Sequence, residues 1–175
     1  VLAAYPTALA PAKAPDLARA KVLYAGHCAS CHGITGAADG PAAKGLEPPA
    51  IAFNDIERAR ERSVFGLYQV ISQGLEGTAM TSFGELPSDD RWGLAFYAGQ
   101  MAFDDAQAAV GQKLWEMRPE LHKRFADLRS LTEPTPASLA AELGEADGMA
   151  LIAYLRRHPE AVPRGICCDS STVLE

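Results

Sequence analysis

Two cysteines three positions apart, with a histidine directly behind the second, constrain this chain more than any other stretch: Cys28-Ala29-Ser30-Cys31-His32. The spacing has a chemical reason. Two thiols so placed form thioethers with the two vinyl groups of a haem, and a histidine at the next position turns under the porphyrin to ligate the iron. Two other chemistries use C-x-x-C. A thioredoxin-like redox pair follows a strand in a β-α-β unit, and no such pattern surrounds Cys28. A zinc site asks for a second C-x-x-C or a spaced histidine pair, whereas the remaining cysteines, Cys167 and Cys168, are adjacent near the C-terminus. The run is read as covalent haem attachment, with Cys28 and Cys31 carrying the links and His32 as proximal ligand.

The pattern around the motif is helical almost throughout. Asp16 is placed to cap a helix reaching about Gly26, with Leu17, Ala20, Leu23 and Tyr24 on one apolar face. From Gly33 to Pro49 the chain is rich in Gly, Ala and Pro, which predicts an irregular loop able to wrap the edge of a flat cofactor. A short helix is expected within 54–62, then a helix from Val64 to Gln73 with Ser63 as cap and Gly74 as stop. Ser88 reads as the N-cap of a helix that begins with Asp89 and Asp90, suits the dipole, and runs to about Met101. Beyond it, 104–118 predicts a helix with Ala106, Val110, Leu114 and Met117 on its apolar face, and Pro119 interrupts. Thr135-Pro136 opens a further short helix, and the last helix spans about Asp147 to Arg157. The expected organisation is an arm or linker over 1–14, a haem domain over 15–103, a helical appendage over 104–164 and a tail over 165–175. One haem motif implies one haem.

A low-spin electron-transfer haem takes a second axial ligand, most often Met or His. Met80 sits in a glycine-bearing loop between two helices, after Gly77-Thr78-Ala79, where it can approach the face opposite His32. Met101 falls at a helix end, and Met117 and Met149 read as core fillers of the appendage. His27 is too close to Cys28 to reach across the ring, and His122 and His158 stand on polar faces. Met80 is therefore the expected sixth ligand. Gly33, Ile34, Phe53, Phe65, Leu67, Val70, Ile71 and Phe83 are candidates for the pocket wall. Arg58, Arg60, Arg62 and Arg91 are candidates to pair with a propionate, against the plainer reading of a solvated face.

Net charge is −6 over 175 residues, which argues against nucleic acid and suits a basic redox partner or a cation. No apolar run reaches the length of a membrane span. The Ala/Pro-rich start lacks the shape of a signal peptide. Because covalent haem attachment takes place outside the cytoplasm, the expectation is an exported, periplasmic chain whose leader has been removed.

The arrangement resembles the small class I cytochromes c: a helix ending at the haem motif, a loop with Leu46-Glu47-Pro48-Pro49, a Met80 loop, and a helix carrying Asp90-Arg91-Trp92-Gly93-Leu94-Ala95-Phe96-Tyr97. The resemblance implies an all-α fold wrapped around one covalently bound haem c, with the first and last helices of the domain crossing through Ala20/Tyr24 and Leu94/Tyr97. Ala20 stands where glycine is common, implying a wider crossing, and Thr81 stands where proline is common, implying a looser Met80 loop. A narrower resemblance covers residues 5 to 162. Gly40-Pro41-Ala42-Ala43-Lys44-Gly45-Leu46-Glu47-Pro48-Pro49, Gly74-Leu75-Glu76-Gly77-Thr78-Ala79-Met80 and Tyr154-Leu155-Arg156-Arg157-His158-Pro159-Glu160 are similar to the cytochrome c domain fused to bacterial high-affinity iron permeases. So is the run from Arg58 to Ile71. That family continues into membrane helices with acidic iron-binding motifs, so the resemblance implies an iron permease membrane domain as partner and ferrous iron as electron source. Cys167 and Cys168 match nothing in either pattern; an intermolecular disulfide or a free-thiol tail is open to them.

Three functions follow as expectations. The first is single-electron transfer, linked to iron uptake or as a free respiratory carrier. The second is a haem enzyme or gas sensor with a displaceable Met80. The third is a mainly structural role, with the appendage as a docking surface.

Overall fold

Punctuation in the sequence sets the helices. The computed structural model describes residues 9–163, and among them all regular structure is helical. Helix α1, Leu17–His27, starts where the Asp16 carboxylate accepts the Arg19 N–H (2.9 Å) and runs into the single turn α2, Ala29–His32. The chain then passes from Gly33 to Asp55 without a helix. Asp55 caps α3, Ile56–Arg60. Ser63 caps α4, Val64–Gln73, which stops at Gly74. Helix α5, Ser88–Gly99, completes the first half. In the second half, α6, Asp105–Met117, opens with a reciprocal capping box between Asp104 and Gln107. Helices α7, Pro119–Arg124, and α8, Leu128–Thr132, are short. Helix α9, Pro136–Leu143, has Thr135 as its cap and proline at its first turn. Helix α10, Glu145–Arg157, is followed by a 3₁₀ turn, Pro159–Ala161. The tail bearing Cys167 and Cys168 lies outside the described residues.

Two close helix crossings organise the packing. Helix α1 lies against α5 with Ala20 facing Gly93, where an added Cβ would stand 3.1 Å from the Ala20 methyl. The small residue that such a crossing needs is thus on α5, which offsets the alanine on α1. Tyr24 and Tyr97 meet beside it, ring centroids 5.3 Å apart. In the second half α6 lies against α10 through Gly111, where a Cβ would come within 1.9 Å of the Ala150 carbonyl oxygen. Around the two crossings runs one apolar core that includes Trp92, Phe96, Phe125, Leu131, Leu151 and Ile152.

Three sequence expectations are corrected. Ser88 is the first residue of α5 and makes no side-chain cap; its hydroxyl meets the Tyr68 hydroxyl at 3.0 Å, and Asp90 is bound by Arg19. The buried face of α6 is Ala108, Gly111 and Trp115, leaving Val110 half exposed and Met117 78% exposed. The close approach at Gly111 turns α6 so that its glycine, and not its methionine, faces α10. Met117 is accordingly no core filler, whereas Met149 is buried as expected.

A candidate haem site

The end of α1 and the turn α2 deliver the motif residues to one wall of a cavity of about 680 Å³. Cofactor pockets span about 300–1,000 Å³ and are mostly apolar with a few placed polar groups; this one has Phe53, Leu67, Val70, Ile71 and Phe83 in its wall. Cys28, Cys31, His32 and Met80 all line it. Of the expected wall residues, Gly33, Ile34 and Phe65 do not, and Ile34 is 65% exposed.

Each functional side chain is held by a local device. The Tyr24 hydroxyl donates to the Gly33 carbonyl (2.8 Å), tying the last turn of α1 to the residue after the motif. Burial, then the neighbouring Cys28, Tyr97 and Asp39, raises the Tyr24 hydroxyl well above the ordinary tyrosine range, so it stays a donor. The His32 ring meets the Ile51 carbonyl through Nδ1 at 2.8 Å. A carbonyl only accepts, so Nδ1 carries the proton and Nε2 keeps a lone pair for a metal. Phe53 stacks on the same imidazole at 4.4 Å between centroids, fixing the ring plane. Burial, and secondarily Cys31, pushes the Cys28 thiol up to about 11, so it is protonated at neutral pH. Cys28 and Cys31 form no disulfide with each other.

Met80 is placed by its loop. Leu75 N–H donates to the Met80 carbonyl (2.9 Å) and Met80 N–H donates to the Thr78 hydroxyl (3.0 Å). Gly74, at φ +74°, allows the loop to fold back; a Cβ there would lie 2.7 Å from the Met80 carbonyl oxygen. Downstream, Phe83 N–H donates to the Ile71 carbonyl (2.9 Å) and the Ser82 hydroxyl to the Ser72 carbonyl (2.7 Å), pinning the loop to α4. These bonds anchor a segment where Thr81 takes the place of the expected proline.

The four candidate arginines separate. Arg58 and Arg62 line the cavity. Arg60 is engaged by Glu145. Arg91 donates to the Ser72 hydroxyl (2.6 Å) and the Leu86 carbonyl (3.1 Å) and lies over the Tyr68 ring. A fifth arginine, missed in the sequence, stands in the cavity wall: Arg156, from α10. It is fully buried, and burial lowers its guanidinium to about 9, still charged at neutral pH. Its signal in the sequence is its register. Met149, Ile152 and Arg156 recur at helical spacing on a buried face, an apolar position that an arginine seldom takes.

The residues present fit a haem. The cavity is large enough and apolar, two thiols and an imidazole with a free Nε2 stand in its wall beside a thioether, and a buried guanidinium offers charge to an acidic group. A helical fold of this kind around such a cavity defines a cytochrome domain with covalently bound haem c. Residues 17–102 match the family model of cytochrome c, and that stretch is a cytochrome c domain of the class I fold. No curated protein matches the chain. Among solved structures, a chain of the reducing HAO-like protein complex Kustc0457/Kustc0458 of Kuenenia stuttgartiensis is 15% identical, covers 88% of this chain and 99% of its own, and superposes with a TM-score of 0.44. No helix among the described residues is long and apolar enough to cross a membrane.

Proposed function

We propose that this c-type cytochrome carries single electrons outside the cytoplasm, in the periplasm, through one haem bound by Cys28 and Cys31 and ligated by His32 and Met80. The observation that carries the reading is the presence of all four side chains in the wall of one cavity. The bound haem would supply a one-electron couple. The protein's part is to hold the ligands: Ile51 and Phe53 orient the His32 imidazole, and the ties to Leu75, Thr78 and Ile71 hold the methionine loop. Held by those contacts, His32 and Met80 would move little between the oxidised and reduced states of a bound haem. Thioether sulfur favours the ferrous state relative to imidazole, which suits an acceptor of electrons.

The electron source is proposed to be ferrous iron oxidised for uptake by an iron permease membrane domain. The support is the sequence similarity over 5 to 162 described above, together with the acidic balance of the chain. The test uses the full haem-bearing chain. Reduced protein is expected to ignore carbon monoxide at neutral pH, and Met80→Ala to bind it and lose the sulfur-to-iron charge-transfer band. Rapid binding by the unaltered protein would favour an enzyme or gas sensor. Anaerobic mixing of the ferric form with ferrous iron should yield the reduced spectrum; no reduction on mixing would detach the iron link and leave a respiratory carrier.

A further inference from the structure

The cytochrome domain ends by residue 103, yet the charge most deeply set in the wall of its cavity comes from α10. Arg156 reaches across from the appendage with no exposed surface. Its Nη1 donates to the Gly99 carbonyl (2.7 Å) and its Nη2 to the Arg62 carbonyl (2.6 Å), at the ends of the segments that bound the cavity. The guanidinium lies over the Phe103 ring, 5.8 Å from its centroid. Nε has no partner. Among the described residues no carboxylate lies within salt-bridge distance of Arg156. The single buried acid there, Asp90, is taken by Arg19.

A buried guanidinium presents five donors and a full charge, and two carbonyls answer only part of that. Taking such a charge out of water costs several kcal/mol unless a counter-charge is supplied. Two neutral carbonyl groups aim the cation without neutralising it, and the cavity it lines is the place from which an anion can come. Removing such a cation would disfavour the reduced state, because the ferric site carries one more positive charge than the ferrous.

We infer that Arg156 is the counter-charge for an acid group of the haem, so that the appendage, through this one side chain, sets the reduction potential of the cytochrome domain. The inference rests on the haem reading above. Arg156 is a positioning and electrostatic residue and touches no reacting atom. Arg58 and Arg62 of the cytochrome domain also line the cavity, but Arg58 is exposed and Arg62 half-buried; the fully buried charge in that wall comes from the appendage, which makes it part of the redox unit.

The test measures the midpoint potential of the full chain by optical titration, after covalent haem has been confirmed in each protein by its spectrum following acid-acetone extraction. Arg156→Gln is expected to lower the potential by the equivalent of about a tenfold change in the ferric-to-ferrous ratio, about 59 mV for a one-electron couple. Arg156→Lys, which keeps the charge, should restore at least half of the shift. Arg157→Gln, one residue along and paired with Asp105, should move the potential by less than a quarter as much. Equal shifts in the Gln and Lys variants would reduce Arg156 to packing, and an unmoved potential in Arg156→Gln would overturn the assignment. Should the Gln variant not accumulate, Arg156→Met decides: it replaces the guanidinium by an uncharged side chain of comparable reach, a downward shift of the same size is expected, and an unmoved potential in it sinks the assignment. Absence of covalent haem from the unaltered protein would defeat the haem reading itself, whereas haem present with an indifferent Arg156 defeats this inference alone.

Discussion

The cytochrome half runs from Gly33 to Asp55 without a helix and keeps a cavity of about 680 Å³ in its interior. Beyond Asp104 the same chain lays two 13-residue helices, α6 and α10, side by side with three shorter ones between them in sequence, and sends Trp115, Leu121, Phe125, Leu131 and Leu139 into the shared core. Both halves draw on similar apolar side chains. They differ in what completes them. The second half meets the shared core with packed side chains, Leu139, Leu151, Ile152 and Leu155 being fully buried. The first lines the cavity with a long loop held by backbone hydrogen bonds, such as Phe53 N–H to Gly36 carbonyl at 2.6 Å, and by the contacts of His32 with Ile51 and Phe53. One half contributes packed side chains to that core, and the other in addition lines most of the cavity.

The largest expected effect breaks the first half at that place. Cys28→Ser with Cys31→Ser should abolish covalent haem, read as loss of colour after acid-acetone extraction. In hydrogen exchange, the amides of α1 and α4 should then lose protection while those of α9 and α10 retain it. Equal loss in both halves would mean that the shared core stands or falls as one.

The converse experiment removes a core residue from the second half. Phe125 is fully buried there, and Phe125→Ala should cost about 3–5 kcal/mol of unfolding free energy in chemical denaturation. The visible spectrum of the haem-bearing protein should be unchanged in buffer. A broadened or shifted spectrum would show that the appendage shapes the cavity more widely than through Arg156.

The smallest effect concerns acid. Asp90 is bound by Arg19 at 2.5 and 2.7 Å across the α1–α5 crossing, and that pairing holds its carboxyl below the ordinary value of 3.8. A depressed carboxylate contributes stability that is fully present above its unfolded value and is lost as pH falls through the folded one. Asp90→Asn should therefore lower the melting temperature at neutral pH by a few degrees at most, because Arg19 is largely exposed. The difference from the unaltered protein should vanish in strong acid, and a difference constant with pH would refute the pairing.

The helices were legible where a residue type has one dominant local role. Asp16, Ser63, Gly74, Thr135 and Pro136 each do at the helix ends what their chemistry predicts. The motif residues and Met80, expected from a spacing and a loop, line one cavity in the structure. What the sequence concealed were choices made in three dimensions. Ser88 looked like a cap, but Tyr68 holds its hydroxyl. The buried face of α6 was misread because the approach of α10 at Gly111, and not hydrophobicity, sets the rotation of that helix. A cation in the last turn of a helix is ordinary, and only the fold shows Arg156 buried in a wall built by another part of the chain.

The bonds of Arg156 span 57 and 94 residues, and the contact of Arg60 with Glu145 spans 85. Such links close large loops, and contacts of high sequence separation slow folding because chain entropy is surrendered before they repay it. The cavity's motif wall lies near the beginning of the chain and is built from neighbours in sequence, while another part of its wall comes from the last long helix. As the chain is made from its N-terminus, Cys28 and Cys31 are thus present well before Arg156. The order of synthesis leaves that side of the site unclosed during the interval in which the thiols first become available.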